Sequence, residues 1–112
     1  MSRAKDDQKV SLLYVICGSL AEAEEVGRKV VEDRLAACAN IIDGMRSVYR
    51  WEGQVESGRE VVLLLKTRSA RAGDLGARVR DLHSYEVPCV IELPIESGSE
   101  DYLDWIVRET SG

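Results

Sequence analysis

The stretch CANIIDGMRSVYRW (residues 38–51), the pair Glu52-Gly53, and QVESGREVVLLLK (residues 54–66) carry the reading of the fold. Ser47, Val48, Tyr49, Arg50 and Trp51 alternate as a strand does, and Gln54 to Lys66 runs back, ending in the apolar block Val61 to Leu65. Glu52-Gly53 supplies a hairpin tip, where glycine tolerates a positive φ, and Gly44 marks a bulge or bend. At ~3.3 Å per residue each arm reaches about 40 Å, against roughly 17–20 Å for an ordinary strand. A small sheet cannot cover such arms. Their overhang carries Val48, Tyr49, Trp51 and Val55, which predicts that another copy of the chain covers the strand edges and these side chains in a symmetric oligomer.

Outward from the hairpin, Val10 to Cys17 (VSLLYVIC) reads as a strand buried on both faces. Ser19 and Glu22 have capping-box spacing, and Leu20, Ala23, Val26, Gly27, Val30 and Val31 then recur at helical intervals. After the hairpin, Ser69 is placed to cap a second helix with Leu75, Val79 and Leu82 on its inner stripe, stopping near His83 and Ser84. Pro88 sets off a strand over Cys89–Leu93, and Ser99 caps a short last helix with Leu103, Ile106 and Val107 facing in. The order β-α-β-β-α-β followed by α predicts an α+β fold, a ferredoxin-like βαββαβ sandwich with a C-terminal helix.

Composition narrows the function. The chain has 112 residues, enough for one domain, and 45% are hydrophobic, enough for a core. We expect a flexible polar segment over residues 1–9 and a single domain over 10–112. The formal charge of -5 argues against nucleic acid as a partner, and no run of 18 apolar residues argues for a membrane span. The first apolar stretch reads as a strand rather than a signal peptide, so the expected location is cytoplasmic. Three scattered cysteines, Cys17, Cys38 and Cys89, form neither a disulfide framework nor a C-x-x-C motif, and read as small buried hydrophobes in a reducing compartment. An RNA-recognition module would need base-stacking aromatics on its third strand, where this chain has REVVLLLK (residues 59–66). A metallochaperone would need a second thiol close to Cys17. A glycine-rich phosphate loop is absent, and a single histidine among many serines defines no Ser/His/Asp triad.

One segment is more specific. HSYEVP (residues 83–88) puts the only histidine, a phenol, a carboxylate and a proline turn between a helix end and a strand, while RWEG (residues 50–53) forms the hairpin tip and Lys66-Thr67 ends the return arm. A helix C-terminus favours a protonated histidine, so the bland reading is a surface His83 stabilising that end, with Tyr85 at a subunit contact.

These stretches, together with RLAACANII (34–42), SVYRWEG (47–53), Glu60 to Thr67 and YLDW (102–105), resemble the CutA family of divalent-cation-tolerance proteins from about Val10 to Val107. The resemblance implies a homotrimer of ferredoxin-like subunits built around long hairpins, similar to the PII signalling proteins, with a charge near -15 for three chains of -5. It implies tolerance of divalent metals, copper(II) above all, without enzymatic activity, catalytic residues or an organic cofactor. Metal ligands implied by position are Cys17 and His83, a soft thiolate and an imidazole. Leu82 stands where some members have a further histidine, Ser84 where proline is usual, and Cys89 where glutamate is common. Glu86 or Cys89 would complete the site. The alternative is a PII-like sensor or interaction scaffold whose intersubunit clefts take a small ligand. Tyr49, Trp51, Lys66, His83 and Tyr85 would line the cleft, with Lys66 as the anion partner. A hydrolase with His83 as base and Lys66 as electrostatic stabiliser is the weaker third reading, and a trimer that anchors unidentified protein partners is a fourth.

Overall fold

The structure, a computed structural model, describes residues 8–111. Of the segment 1–9 expected to be flexible, all but Gln8 and Lys9 lies outside the described residues. The elements are β1 (Val10–Cys17), α1 (Leu20–Glu32), β2 (Cys38–Trp51), β3 (Gln54–Arg68), α2 (Ala72–Leu82), β4 (Val90–Ile95) and α3 (Glu100–Glu109). The four strands form one sheet in the order β2-β3-β1-β4, with every neighbour antiparallel. This is the ferredoxin-like α+β arrangement read from the sequence.

The period of two along the strands decides where the core sits. Leu13, Val15 and Cys17 of β1 pair with Leu65, Leu63 and Val61 of β3, and all six are buried. Ala23, Val26 and Val30 of α1 and Ala72, Leu75 and Val79 of α2 pack on them to make one apolar cluster. α1 sits close to the sheet because Gly27 has no side chain: a Cβ there would come within 2.9 Å of the Ala39 Cβ. The alternate residues of each strand face the other way. There α3 covers one end, where Leu103 and Ile106 pack with Val10 and Ala37. Beyond α3, Ile42, Ile91 and Leu93 of this second face are 54%, 50% and 46% exposed.

The hairpin has the predicted length and outruns its sheet. β1 ends opposite Val61, so residues 54–60 of β3 have β2 as their one strand neighbour. The register shifts between Ile42 and Met45, where Gly44 takes φ +84, the expected bulge. At the tip both Glu52 (φ 49) and Gly53 (φ 81) are left-handed, the two positive φ values that a type I′ hairpin turn requires. Glu52 therefore holds a conformation that glycine or asparagine adopts more readily.

Three local expectations are corrected. Ser69 does not cap α2: it opens a 3₁₀ turn, Ser69–Arg71, and its Oγ lies 2.6 Å from Ser11 Oγ, so α2 begins without a side-chain cap. Ser99 occupies the N-cap position of α3, but its side chain makes no cap bond. β4 starts at Val90 rather than Cys89 and runs to Ile95, taking in Pro94. The proline is tolerated because β4 is an edge strand, where a missing N–H need not break a ladder.

Candidate functional site

Three donors meet where β1, α1 and the end of α2 converge. Cys17 is the last residue of β1 and is buried. Glu22 stands in the first turn of α1, where its N–H donates to Ser19 Oγ at 3.1 Å. Its carboxylate does not close the expected box on Ser19. Oε1 accepts from Gly18 N–H at 3.1 Å, and Oε2 reaches across to accept from Ser84 N–H at 2.7 Å. The α1 terminus is thereby tied to the segment after α2.

His83 follows α2 directly, and its side chain is 0% exposed. One ring nitrogen, Nε2, lies 2.6 Å from the Ile16 carbonyl oxygen, which can only accept. The other, Nδ1, lies 3.0 Å from Tyr85 N–H, which can only donate. The ring hydrogen is therefore on Nε2. The surface, protonated histidine expected at the helix end is corrected: His83 is a buried clamp between β1 and the 83–85 turn. Its Nδ1 is 3.8 Å from Glu22 Oε2.

One ligand atom each from Cys17, Glu22 and His83 lies within 4.8 Å of the others. Glu22 was legible in the sequence only as a capping residue; its reach to Ser84 is tertiary. Glu86 and Cys89, the other expected ligands, are not in this group and line a separate groove. Both lie in the segment between α2 and β4, which carries them past His83 to the groove.

The donors suit a divalent transition metal in kind, and their present bonding sets a condition. Around a bound ion with bonds of 2.0–2.3 Å, donors stand about 3.3–3.7 Å apart, so the group would close by up to about 1.5 Å. Burial, and then the Glu22 charge, pushes the Cys17 thiol up to about 11, so it is protonated at neutral pH. Both His83 nitrogens are already in hydrogen bonds. Burial alone would raise the Glu22 carboxyl, but the bonds from Ser84 and Gly18 hold it below its ordinary value of 4.5. A lowered carboxyl contributes stability that is full above the ordinary value and is lost as pH falls through the folded one. In Glu22→Ala the acid limb of urea unfolding between pH 2 and 6 should flatten. Stability at pH 7 should drop by about 1.5–3 kcal/mol, the scale of hydrogen bonds to a charged group. An unchanged acid limb would refute this role.

Beyond His83 the chain turns into a groove of about 730 Å³. Tyr85 packs against His83 with ring centroids 4.8 Å apart and donates its hydroxyl to Glu60 Oε2 at 2.8 Å. It also lies over Gly18, where a Cβ would sit 3.1 Å from the phenol oxygen. Burial and the bond to Glu60 raise the phenol above its usual range. Tyr49 and Trp51 of the hairpin, both nearly half exposed, line the groove. Lys66 does not line it. Its ammonium donates to Asn40 Oδ1 at 2.8 Å and Tyr102 Oη at 3.2 Å, at the α3 end of the sheet. Lys66 is six residues along β3 from Glu60, about 20 Å at strand spacing, so within one chain it stands apart from the groove.

Similarity to known proteins agrees with this fold. A protein of Thermus thermophilus named divalent-cation tolerance protein CutA is 46% identical over 90 residues, covering 80% of this chain and 86% of its own. Protein CutA of Mus musculus is 44% identical over 101 residues. The chain spans only part of the vertebrate relatives: 64% of the Xenopus laevis protein and 57% of the mouse one. Among solved structures, the Archaeoglobus fulgidus periplasmic divalent cation tolerance protein CutA superposes with a TM-score of 0.88 at 36% identity, covering 91% of this chain and 99% of that one. The Thermus thermophilus structure gives 0.87 at 39% identity, covering 91% and 99%. The family described as CutA1 divalent ion tolerance protein matches residues 11–109, which takes in all seven elements bar the first residue of β1, the clamp at His83 and the overlong hairpin, and the chain belongs to that family.

Proposed function

We propose that the protein binds divalent metal ions, copper(II) foremost, through Cys17, Glu22 and His83, and that it does so as a homotrimer. The convergence of the three donor atoms within 4.8 Å carries the reading. A thiolate and an imidazole favour copper over magnesium or calcium, which prefer all-oxygen shells. The apolar second face of the sheet, bare beyond α3, is the surface the neighbouring copies would cover. Three unpaired thiols suit a reducing compartment, in keeping with a cytoplasmic setting.

The geometry makes binding conditional. A metal at Cys17 Sγ displaces a thiol proton, and one at His83 Nδ1 displaces the Tyr85 N–H. Glu22 then exchanges its Ser84 bond for the ion. Occupancy is thus coupled to release of the 83–85 turn, which suits a protein that responds to rising metal rather than one that stores it. The same bonding favours a non-enzymatic role, because the thiol beside the imidazole is held protonated and His83 has no free nitrogen to act as a base.

Calorimetric titration with copper(II), without oxygen, tests this. Since one thiol proton leaves well below its pKa of about 11, affinity should rise about tenfold per pH unit between pH 6 and 8. The rise should vanish in Cys17→Ala, and Glu22→Gln should weaken binding about tenfold or more. Affinity independent of pH, or unchanged in both variants, would remove these ligands.

A further inference from the structure

Tyr85 is fastened at three points. Its N–H donates to His83 Nδ1 at 3.0 Å, its ring packs on the imidazole with centroids 4.8 Å apart, and its hydroxyl donates to Glu60 Oε2 at 2.8 Å. The ring fits because position 18 is glycine, where a Cβ would stand 3.1 Å from the phenol oxygen. Glu60 is a fixed post. It pairs with Met45 across the hairpin, and the next residue, Val61, pairs with Cys17 of β1. The hydroxyl bond therefore ties the 83–85 turn to a part of β3 that the sheet holds, 25 positions away in the chain.

Consecutive N–H groups in that turn, those of Ser84 and Tyr85, donate to Glu22 Oε2 and His83 Nδ1, which lie 3.8 Å apart. Glu22 and His83 are two of the three residues whose donor atoms converge with Cys17. We propose that the bond from Tyr85 to Glu60 is an autoinhibitory latch on these metal donors: while it is closed the turn keeps both N–H groups on Glu22 and His83, and opening it frees the two donors together.

This latch presupposes the metal reading and adds what keeps the donors engaged. An imidazole nitrogen has one lone pair, so an ion and the Tyr85 N–H compete for Nδ1 outright. A carboxylate oxygen has a second, but an ion there would face the positive end of the Ser84 N–H. The two N–H groups are one residue apart, so a displacement of Tyr85 carries both. Apparent affinity is the intrinsic affinity multiplied by the fraction of molecules with the turn open. A bond from a phenol to a carboxylate is charge-assisted, among the stronger side-chain bonds, and here it lowers that fraction. Burial by neighbouring copies does not compete with the latch, since each of its bonds lies within one chain. A copy packed over Tyr85, 36% exposed in the single chain, would press it closed.

The test uses the full chain in its native assembly, with Tyr85→Phe and Glu60→Ala as opened forms. Phenylalanine keeps the ring on His83 and removes only the donor; alanine removes the acceptor. Without metal, amide hydrogen exchange at Ser84 and Tyr85 should quicken about tenfold in both variants, while buried Val15 and Val26 keep their rates. In anaerobic copper(II) titrations at pH 7 each variant should bind about tenfold more tightly than wild type, and the double variant no more tightly than either, because the same bond is lost each time. A residue that only supports the fold would weaken binding when altered. Exchange unchanged in either variant, or affinity unchanged or lowered in either, would overturn the latch. Equal copper affinity in wild type and Cys17→Ala would instead remove the metal reading, and the inhibitory role with it, whatever the exchange rates.

Discussion

His83→Ala is expected to lower the unfolding free energy by about 3–5 kcal/mol, read from urea titrations at fixed chain concentration. The imidazole is fully buried, so its removal leaves a cavity. It also strips the part-buried Ile16 carbonyl of its partner, an orphan that costs about 1–3 kcal/mol, and leaves the exposed Tyr85 N–H to water. The Ile16 loss falls on β1, one of the two central strands; the Tyr85 loss frees the phenol from Glu60 and opens the groove wall. His83→Gln restores a donor toward Ile16 at similar reach and should recover part of the loss. An alanine variant within 1 kcal/mol of wild type would mean that water replaces the ring, and the clamp would have no structural weight.

The double substitution Ile91→Asp, Leu93→Asp is expected to convert the assembly to single chains while leaving each chain folded. Both side chains are about half exposed, so a lone chain keeps the two aspartates solvated. In a trimer that buries this face, two carboxylates would be taken from water without partners, at several kcal/mol each. Sedimentation should give the mass of three 12.5 kDa chains for the wild type and of one chain for the variant, with unchanged circular dichroism. A wild-type protein sedimenting as one chain would defeat the oligomer reading, and the overhanging hairpin would then need another partner.

The candidate site was legible in parts that differ in kind. Cys17, His83, Tyr49, Trp51 and Tyr85 are marked by residue type and by their places at element ends. Glu22 was visible as a helix cap and nothing more, since Ser84 lies 62 positions away and only the packing of α1 beside the end of α2 brings them together. Glu86 and Cys89 are near His83 in sequence, yet the turn after α2 carries them to the groove. Lys66 shares the second face with the groove residues but stands at the other end of the strand, a separation that alternation along β3 does not reveal.

What the chain determined by itself is the element order, the helical stripes, the bulge at Gly44, the turn at Gly53 and the excess length of the hairpin. These follow from local physics: side-chain periods of 2 and 3.6, glycine's tolerance of positive φ, and rise per residue. Tertiary structure alone decided how each polar atom is used. It turned His83 from a surface helix end into a buried clamp, made Glu22 a tie between two elements, and set Tyr49, Trp51 and Tyr85 in one groove with Glu60 and Glu86. Hydrogen-bond partners and local charge balance depend on residues far apart in the chain, and no period in the sequence encodes them.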